Sequence, residues 1–491
     1  MKEDYIKLIF GLKLKQIRTE RGLSLLGLSK KSGLSKSYLN EIENGKKYPK
    51  PDKIVALSKH LDIPYDDLVS LKLDKNLAPI VDIFKSNLLK DIPLSLFGLQ
   101  ESTLINIISN APQKVTAFIS TIIDIAKNYD FKREHFYLAS VRSFQEAHLN
   151  HFEDLEEAVL KFSKMFEVDL TQPIQSQELE DILVEEYGYN INSNELENHG
   201  HLDDLRSIFV PKTKTLLLTK DMDDAQRSFI YAKELAYAYL KITDRLYTFS
   251  WIKFENFEQV LNNFYASYFA GALLIPGESL IHNLQQIFSK TKFDHSAFLN
   301  LFNTYNASPE TVYQRLTNIL PKHFNFKDLF FLRFSYHKGT DEYGLNKELH
   351  LAKDQSPRAS ETNEHYCRRW VSLKVLKTLS QNSTEHEFGI QISKYPRDHQ
   401  DYLVLASAEK DPFKKDRYRS ISIGIAIDNS LKRKVNFLQD SAILSVDVGV
   451  TCERCHITDC EVRQAPPKVL EKRLKEQKTE VAVESLSKKY S

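Results

Sequence analysis

Between residues 5 and 73 apolar side chains recur three and four positions apart, which predicts a compact all-helical unit. A short polar link over 72–76 follows. Helical spacing then resumes over 77–175, as in Leu104, Ile105, Ile107 and Ile108 and again in Phe118, Ile119, Ile122 and Ile123, and reads as a helical linker and dimerisation region. From 176 to 290 the helical pattern is broken by one strand-like run, 215–219. The periodicity changes from about 325. Runs at 330–336, 387–393, 402–406 and 419–427 are short, β-rich and partly alternating, with a helix-like stretch at 365–380 among them. They predict an antiparallel sheet with flanking helices over 325–467. Residues 468–491 read as a charged helical tail.

A chain of 491 residues exceeds one ordinary domain, and 42% hydrophobic with 27% charged residues is a globular composition. The longest nearly apolar stretch, 264–276, falls far short of the roughly 20 residues of a spanning helix. The first residues lack a signal-peptide pattern, and four cysteines do not make a secreted disulfide scaffold, so a cytoplasmic protein with no membrane partner is expected. The net charge of +1 conceals an asymmetry. Residues 11–50 hold ten Lys/Arg against three acidic side chains, leaving a net −6 elsewhere. A local basic excess is the electrostatic footprint of a nucleic-acid module, although a solvated helical face gives the same count.

The strongest local signal lies within that basic stretch. Ser24 and Ser35 each precede a helical run and can cap it by accepting from unpaired N–H groups of the first turn. Gly33 falls between them, where a tight turn needs a positive φ, and Asn44-Gly45 supplies a helix stop. Leu28, Leu34, Leu39 and Ile42 are the expected core positions, against Ile17, Ile54 and Leu57. The run Tyr38-Leu39-x-x-Ile42-Glu43-Asn44-Gly45 resembles the Cro/phage-repressor (XRE) helix-turn-helix family over about residues 8–71. That resemblance implies a recognition helix over about 35–43. Lys36, Ser37 and Glu41 fall at its base-facing positions, with Tyr38 and Asn40 as second choices. It also implies that Arg18, Asn44, Lys46 and Lys47 hold phosphates of double-stranded operator DNA, which position the protein without reading sequence. The first helix of the pair begins Ser24-Leu25, where the family often carries a phosphate-bracing glutamine.

Residues 223–240 resemble the metal-binding helix of the ImmA/IrrE zinc peptidases, and the later run from Phe269 to Pro276 matches that family's second landmark. A working site needs H-E-x-x-H, because histidines at i and i+4 face one side of a helix and hold zinc while Glu acts as base. Here the stretch is Lys233-Glu234-Leu235-Ala236-Tyr237, and the family's third ligand position falls at Asn263. The base position is kept and the ligands are not. An ammonium, a phenol and an amide do not make a hydrolytic zinc site, so a degenerate zincin-like fold without catalytic residues is expected.

All four cysteines lie late in the chain, as Cys367 and then Cys452-x2-Cys455-x4-Cys460. Three thiols within nine residues form a knuckle that can wrap a metal, and Cys367 can supply a fourth from the 365–380 helix; four independent reduced thiols are the plainer alternative. Four thiolates suit zinc or an iron–sulfur cluster. The order of features is more specific than any one of them. An XRE head, a degenerate ImmA/IrrE segment, the Tyr366-Cys367-Arg368-Arg369-Trp370 run and the tail Cys452 to Arg463 and Pro466-Pro467 together resemble the short-chain fatty acyl regulator family over nearly the whole chain.

That resemblance implies a transcription factor of carbon metabolism responding to an acyl-CoA; one recognition helix covers only a half-site, so a homodimer or higher homo-oligomer is expected. The resemblance also implies a 4Fe–4S cluster on Cys367, Cys452, Cys455 and Cys460, with zinc as the alternative, and leaves the effector-binding residues unassigned. The fold class expected is multidomain, mainly α with α+β: an all-α helix-turn-helix head (5–73), a helical linker (77–175), a degenerate zincin-like α+β middle (176–290) and an α+β sensory domain similar to the GAF or PAS type (325–467). An active ImmA-type metallopeptidase cleaving a repressor, and a redox sensor using only its cluster, are the competing functions.

Overall fold

The computed structural model describes residues 2–70 and 133–490, other than 201, 203–204, 250–253, 341, 352–363, 383, 397–399, 412–413 and 415. The expected linker helices around Leu104 and Phe118 lie outside the described residues. The chain divides into two compact units, 1–140 and 141–491.

The first unit begins with five helices: α1 (Lys2–Glu20), α2 (Leu25–Ser32), α3 (Lys36–Glu43), α4 (Pro51–Leu61) and α5 (Tyr65–Val69). Its core joins Phe10 and Leu14 of α1 to Leu28, Leu34, Leu39, Ile42, Ile54, Leu57, Leu61 and Leu68, with Ile17 packed at the edge. The expected core positions are all among them. Gly11 lets α1 approach α3 closely, since a Cβ there would stand 2.2 Å from the Ile42 carbonyl oxygen. Lys13 ties the end of α5 to α1, its Nζ donating to the carbonyls of Asp67 (2.7 Å) and Ser70 (2.8 Å).

Helix α6 (Arg133–Ala147) spans the division. The second unit continues with α7 (Glu153–Met165), α8 (Ser176–Glu185), β1 (Asn190–Asn192), β2 (Ser207–Val210), β3 (Thr215–Leu218), α9 (Asp224–Tyr239), β4 (Thr248–Phe249) and α10 (Phe257–Leu274). The four strands form a small sheet in the order β1-β3-β2-β4, with β1 parallel to β3 and the other pairs antiparallel. Helix α9 opens on a capping box, in which Asp223 accepts from the Gln226 backbone and Gln226 reaches back to the Asp223 N–H. Every residue from Ile230 to Tyr237 is buried, as befits a helix packed between α8 and α10.

Helices α11 (Gly277–Ser289), α12 (His295–Thr304) and α13 (Pro309–His323) lead to the larger sheet. Its strands are β5 (Leu329–His337), β6 (Tyr343–His350), β7 (His386–Tyr395), β8 (Gln400–Lys410), β9 (Arg417–Ala426) and β10 (Leu444–Asp447), in the order β10-β7-β8-β9-β5-β6. All neighbours are antiparallel except β10 and β7. One face, with Phe330, Leu332, Phe334, Tyr402, Val404, Ala406 and Ala408, packs on α14 (Val371–Gln381). Gly389 permits that approach, because a Cβ would stand 2.6 Å from Val371. The other face meets α13, where the Tyr313 hydroxyl lies 3.0 Å from that of Ser407. Short α15 (Asn429–Lys434) precedes β10, and α16 (Lys468–Tyr490) closes the chain as an exposed helix. The chain is multidomain, a helical head followed by α+β regions with sheets. Among the described residues no helix is long and apolar enough to cross a membrane.

The helix expected over 365–380 begins only at Val371, with Trp370 as its cap. Tyr366 instead pairs with Thr451 in an isolated antiparallel bridge, and the Cys367 N–H donates to the Val450 carbonyl (3.1 Å). A long-range backbone pairing outcompetes the first helical turn, and Cys367 projects from an extended segment rather than from a helix.

Candidate functional site

In the head, the local chemistry read from sequence is built as expected. Ser24 Oγ accepts from the Gly27 N–H (3.0 Å), Ser35 Oγ accepts from the Tyr38 N–H (3.2 Å), and Gly33 takes a φ of 72°. Helix α3 buries Leu39 and Ile42 and turns Lys36, Ser37 and Asn40 outward, with Glu41 half-buried on the same face. Lys46 and Lys47 are exposed just past its end. Glu41 pairs with Lys47 (2.7 Å), whose ammonium also lies over the Tyr38 ring, and Asn44 donates to Asn40 (3.2 Å). Arg18 departs from its expected role. Its guanidinium is bidentate on Glu43 (2.6 and 2.8 Å) and donates to the Leu23 carbonyl (2.7 Å), with both side chains largely buried. It neutralises a buried carboxylate and braces α1 against α3, leaving it no free fork for a phosphate.

In the second unit, Lys233, Tyr237 and Asn263 converge as their spacing implies. The Lys233 ammonium donates to Asn263 Oδ1 (2.7 Å) and the Tyr237 hydroxyl approaches the same oxygen (3.5 Å). Arg245 belongs to no motif and is not among the residues expected here; its guanidinium grips Glu234 with both Nη atoms (2.7 and 2.5 Å) and lies 3.7 Å from the Tyr237 ring centroid. The Tyr189 hydroxyl also donates to Glu234 (3.3 Å). The carboxylate at the family's general-base position is thus committed to an internal ion pair, 6% exposed on either side. Burial lowers the Lys233 amine to about 7; Glu234 opposes that shift, while Arg245 and Lys347 add to it. The pocket here is lined by Ser207, Lys233, Tyr237, Arg245, Tyr247 and Thr248.

Elsewhere in this unit, cations from three strands and one loop surround one carboxylate. Glu310, at the start of α13, meets Arg333 of β5 (3.3 Å) and Lys347 of β6 (3.6 Å), while Arg419 of β9 pairs with Glu409 (2.5 Å). Burial works against the Glu310 charge, but Arg333, Lys347, Arg419 and Arg206 outweigh it and hold its pKa at about 2. Arg206 is pushed down to about 10 by burial and by Arg419. Lys347 is lowered chiefly by burial, and 48% of its side chain stays exposed to water.

The four cysteines are free thiols lining one small pocket together with Arg368, Thr451 and Arg463. The chain itself brings them together. Beside the Tyr366–Thr451 bridge, the Cys452 N–H donates to the His365 carbonyl (2.8 Å) and Trp370 Nε1 to the Gly449 carbonyl (2.9 Å). Glu364 holds both Arg454 (2.5 Å) and Thr451 (2.5 Å). Arg463 donates to the carbonyls of Cys452 (2.9 Å), Cys455 (3.4 Å) and Ile457, pinning the loop. Cys367 is raised to about 11 by burial, partly offset by backbone N–H groups of Gly449 and Arg369. The N–H of Gln464 points at Cys452 Sγ (3.4 Å). Among the described residues no three His, Cys, Asp or Glu side chains stand close enough to hold one metal ion. Backbone N–H groups are aimed at two of the four sulfurs, those of Cys367 and Cys452.

Comparison with known proteins places two domains on this geometry. Residues 14–68 match the family described as Helix-turn-helix, and residues 185–317 match the IrrE N-terminal-like domain. The HTH-type transcriptional repressor RghR of Bacillus subtilis (strain 168) is 43% identical over 61 residues, covering 12% of this chain and 45% of that one. RghRB of the same organism, an uncharacterized HTH-type transcriptional regulator, is 39% identical over 62 residues with the same shares. The chain thus spans about half the length of these curated relatives. A solved Mycobacterium tuberculosis transcriptional regulator aligns with a TM-score of 0.47 and 18% identity, over 66% of this chain and 93% of that one.

Proposed function

We propose that the chain is a sequence-specific, DNA-binding transcriptional regulator of carbon and fatty-acyl metabolism, a member of the short-chain fatty acyl regulator family. The observation that carries the DNA-binding part is the outward face of α3: Lys36, Ser37, Asn40 and Glu41 on one side of a capped helix, flanked by exposed Lys46 and Lys47. One such helix covers a half-site, so specific binding requires two copies of the chain. Replacing Lys36 by alanine relaxes base choice at about 1–3 kcal/mol; Lys46→Ala weakens all duplexes alike and makes the salt slope shallower by about one unit. Selection of operators from a random duplex pool, followed by anisotropy titrations against salt, measures both. Protection of one unpaired half-site by a monomer contradicts this reading.

For the effector, a short-chain acyl-CoA is the proposed reading: Lys347, 48% exposed beside the cluster of Arg206, Arg333 and Arg419, is a cation of the kind that attracts phosphates. A rise in melting temperature with acetyl-CoA, diminished in Lys347→Glu, is the expected result. For the cofactor, Cys367, Cys452, Cys455 and Cys460 would hold a 4Fe–4S cluster, with zinc as the alternative, in a sensory domain of GAF or PAS type. Such a cluster supplies redox and oxygen sensitivity when bound. The peptidase reading is disfavoured by the donor set of Lys233, Tyr237 and Asn263 and by the ion pair that occupies Glu234.

A further inference from the structure

The stop that ends α3 also carries a cation back over the helix. Gly45 takes a φ of 69°. The Gly45 N–H then donates to the Ile42 carbonyl (2.9 Å), and those of Lys46 and Lys47 to the Glu41 carbonyl (2.9 and 3.3 Å). The backbone of Lys47 is thereby held against the turn that bears Glu41, six positions earlier. Its ammonium meets Glu41 Oε2 at 2.7 Å and lies 5.9 Å from the centroid of the Tyr38 ring. Tyr38 is a firm support, because it is half-buried against the core of the head. One cation thus bridges two side chains on the outward face of α3, one helical turn apart. Lys47 is 54% and Glu41 37% exposed, so the pair adds little to stability; what it fixes is where the carboxylate points. Asn44, in the same stop, donates to Asn40 Oδ1 (3.2 Å) and orients the neighbouring side chain in the same way.

We propose that Glu41 reads a cytosine amino group in the major groove and that Lys47 is its positioning residue rather than a phosphate contact; this rests on the DNA-binding reading of α3 above. An ionised carboxylate only accepts hydrogen bonds. In the major groove guanine offers two acceptors and thymine one, while adenine sets its amino donor beside the N7 acceptor. Cytosine N4 is therefore the donor that a carboxylate takes with least opposition. A bare carboxylate entering the groove also meets the negative field of the phosphates. Paired with Lys47 it enters as a neutral unit, with Oε2 engaged and Oε1 left to accept from the base. A lysine committed in this way releases no counterion of its own, which separates it from Lys46 next to it in the chain.

The test selects operators from a random duplex pool with the full chain. Each variant is then titrated by anisotropy against the selected site and against sites changed at one base pair. Glu41→Gln is expected to lose about tenfold of the preference for C·G at one base pair. Lys47→Met keeps the aliphatic stem and should weaken that same preference about threefold, with the other positions unchanged, while Lys47→Arg retains it. In Glu41→Gln/Lys47→Met the two losses should not add, since Lys47 acts through Glu41. Both side chains are exposed, so each variant should melt with the parent. If Lys47→Met instead weakens all duplexes alike and makes the salt slope shallower by about one unit, Lys47 is a phosphate contact and its positioning role is overturned. If Glu41→Gln leaves the preference at every base pair intact while Lys36→Ala relaxes one, the whole inference falls and the DNA-binding reading stands. If the parent chain selects no sequence from the pool, the DNA-binding reading falls and takes the inference with it.

Discussion

Arg245→Ala lowers the stability of the second unit by about 3–5 kcal/mol, because it strands the Glu234 carboxylate without its partner in a buried site. The pair is bidentate, and Glu234 is otherwise satisfied only by the Tyr189 hydroxyl at 3.3 Å among the contacts described above. The Tyr237 and Phe209 rings lie against the guanidinium, at 3.7 and 4.6 Å to its central carbon, so truncation also opens a void. The double replacement Glu234→Leu/Arg245→Leu recovers most of the loss, since an apolar pair of similar volume carries no desolvation cost. Urea denaturation of the full chain, with hydrogen exchange resolving the α9 amides, measures both. An Arg245→Ala protein as stable as the parent sinks the account of this site as a self-neutralised ion pair.

How much of this was legible in the sequence depends on how local each interaction is. The head could be read almost completely, because its caps at Ser24 and Ser35, its turn at Gly33 and its core leucines are set by neighbours a few positions away. Arg18 misled, since its partner Glu43 lies 25 positions on and no short motif marks a buried ion pair. Asn263 could be placed beside Lys233 and Tyr237 from family spacing alone, whereas Arg245 belongs to no motif. The strands with buried alternation were visible, but β6 was not. Its Tyr343–His350 run is mostly polar because it forms the sheet edge, and an edge strand shows little hydrophobic signal. The charge cluster around Glu310 draws Arg206, Arg333, Lys347 and Arg419 from separate segments, so only the folded chain reveals it.

The cysteine pocket yields the other large effect. On the proposed cluster or zinc reading, Cys367→Ser removes most of the bound metal and any visible absorption of anaerobically prepared protein, because a serine hydroxyl does not replace a thiolate ligand. Cys367 is the informative position, being the one thiol distant in sequence and brought to the others by backbone pairing with Val450 and Thr451. That pairing, together with Glu364 on Arg454 and Arg463 on the loop carbonyls, does not pass through any sulfur. The metal-free Cys367→Ser protein should therefore melt within about 1 kcal/mol of the metal-free parent, a change typical of a small polar substitution that keeps its surroundings. Loss of metal with the fold retained identifies a ligand; loss of both would make Cys367 a packing residue. A Cys367→Ser protein that keeps its full complement of iron or zinc shows that the site uses only the knuckle, Cys452, Cys455 and Cys460, and the four-thiol arrangement falls.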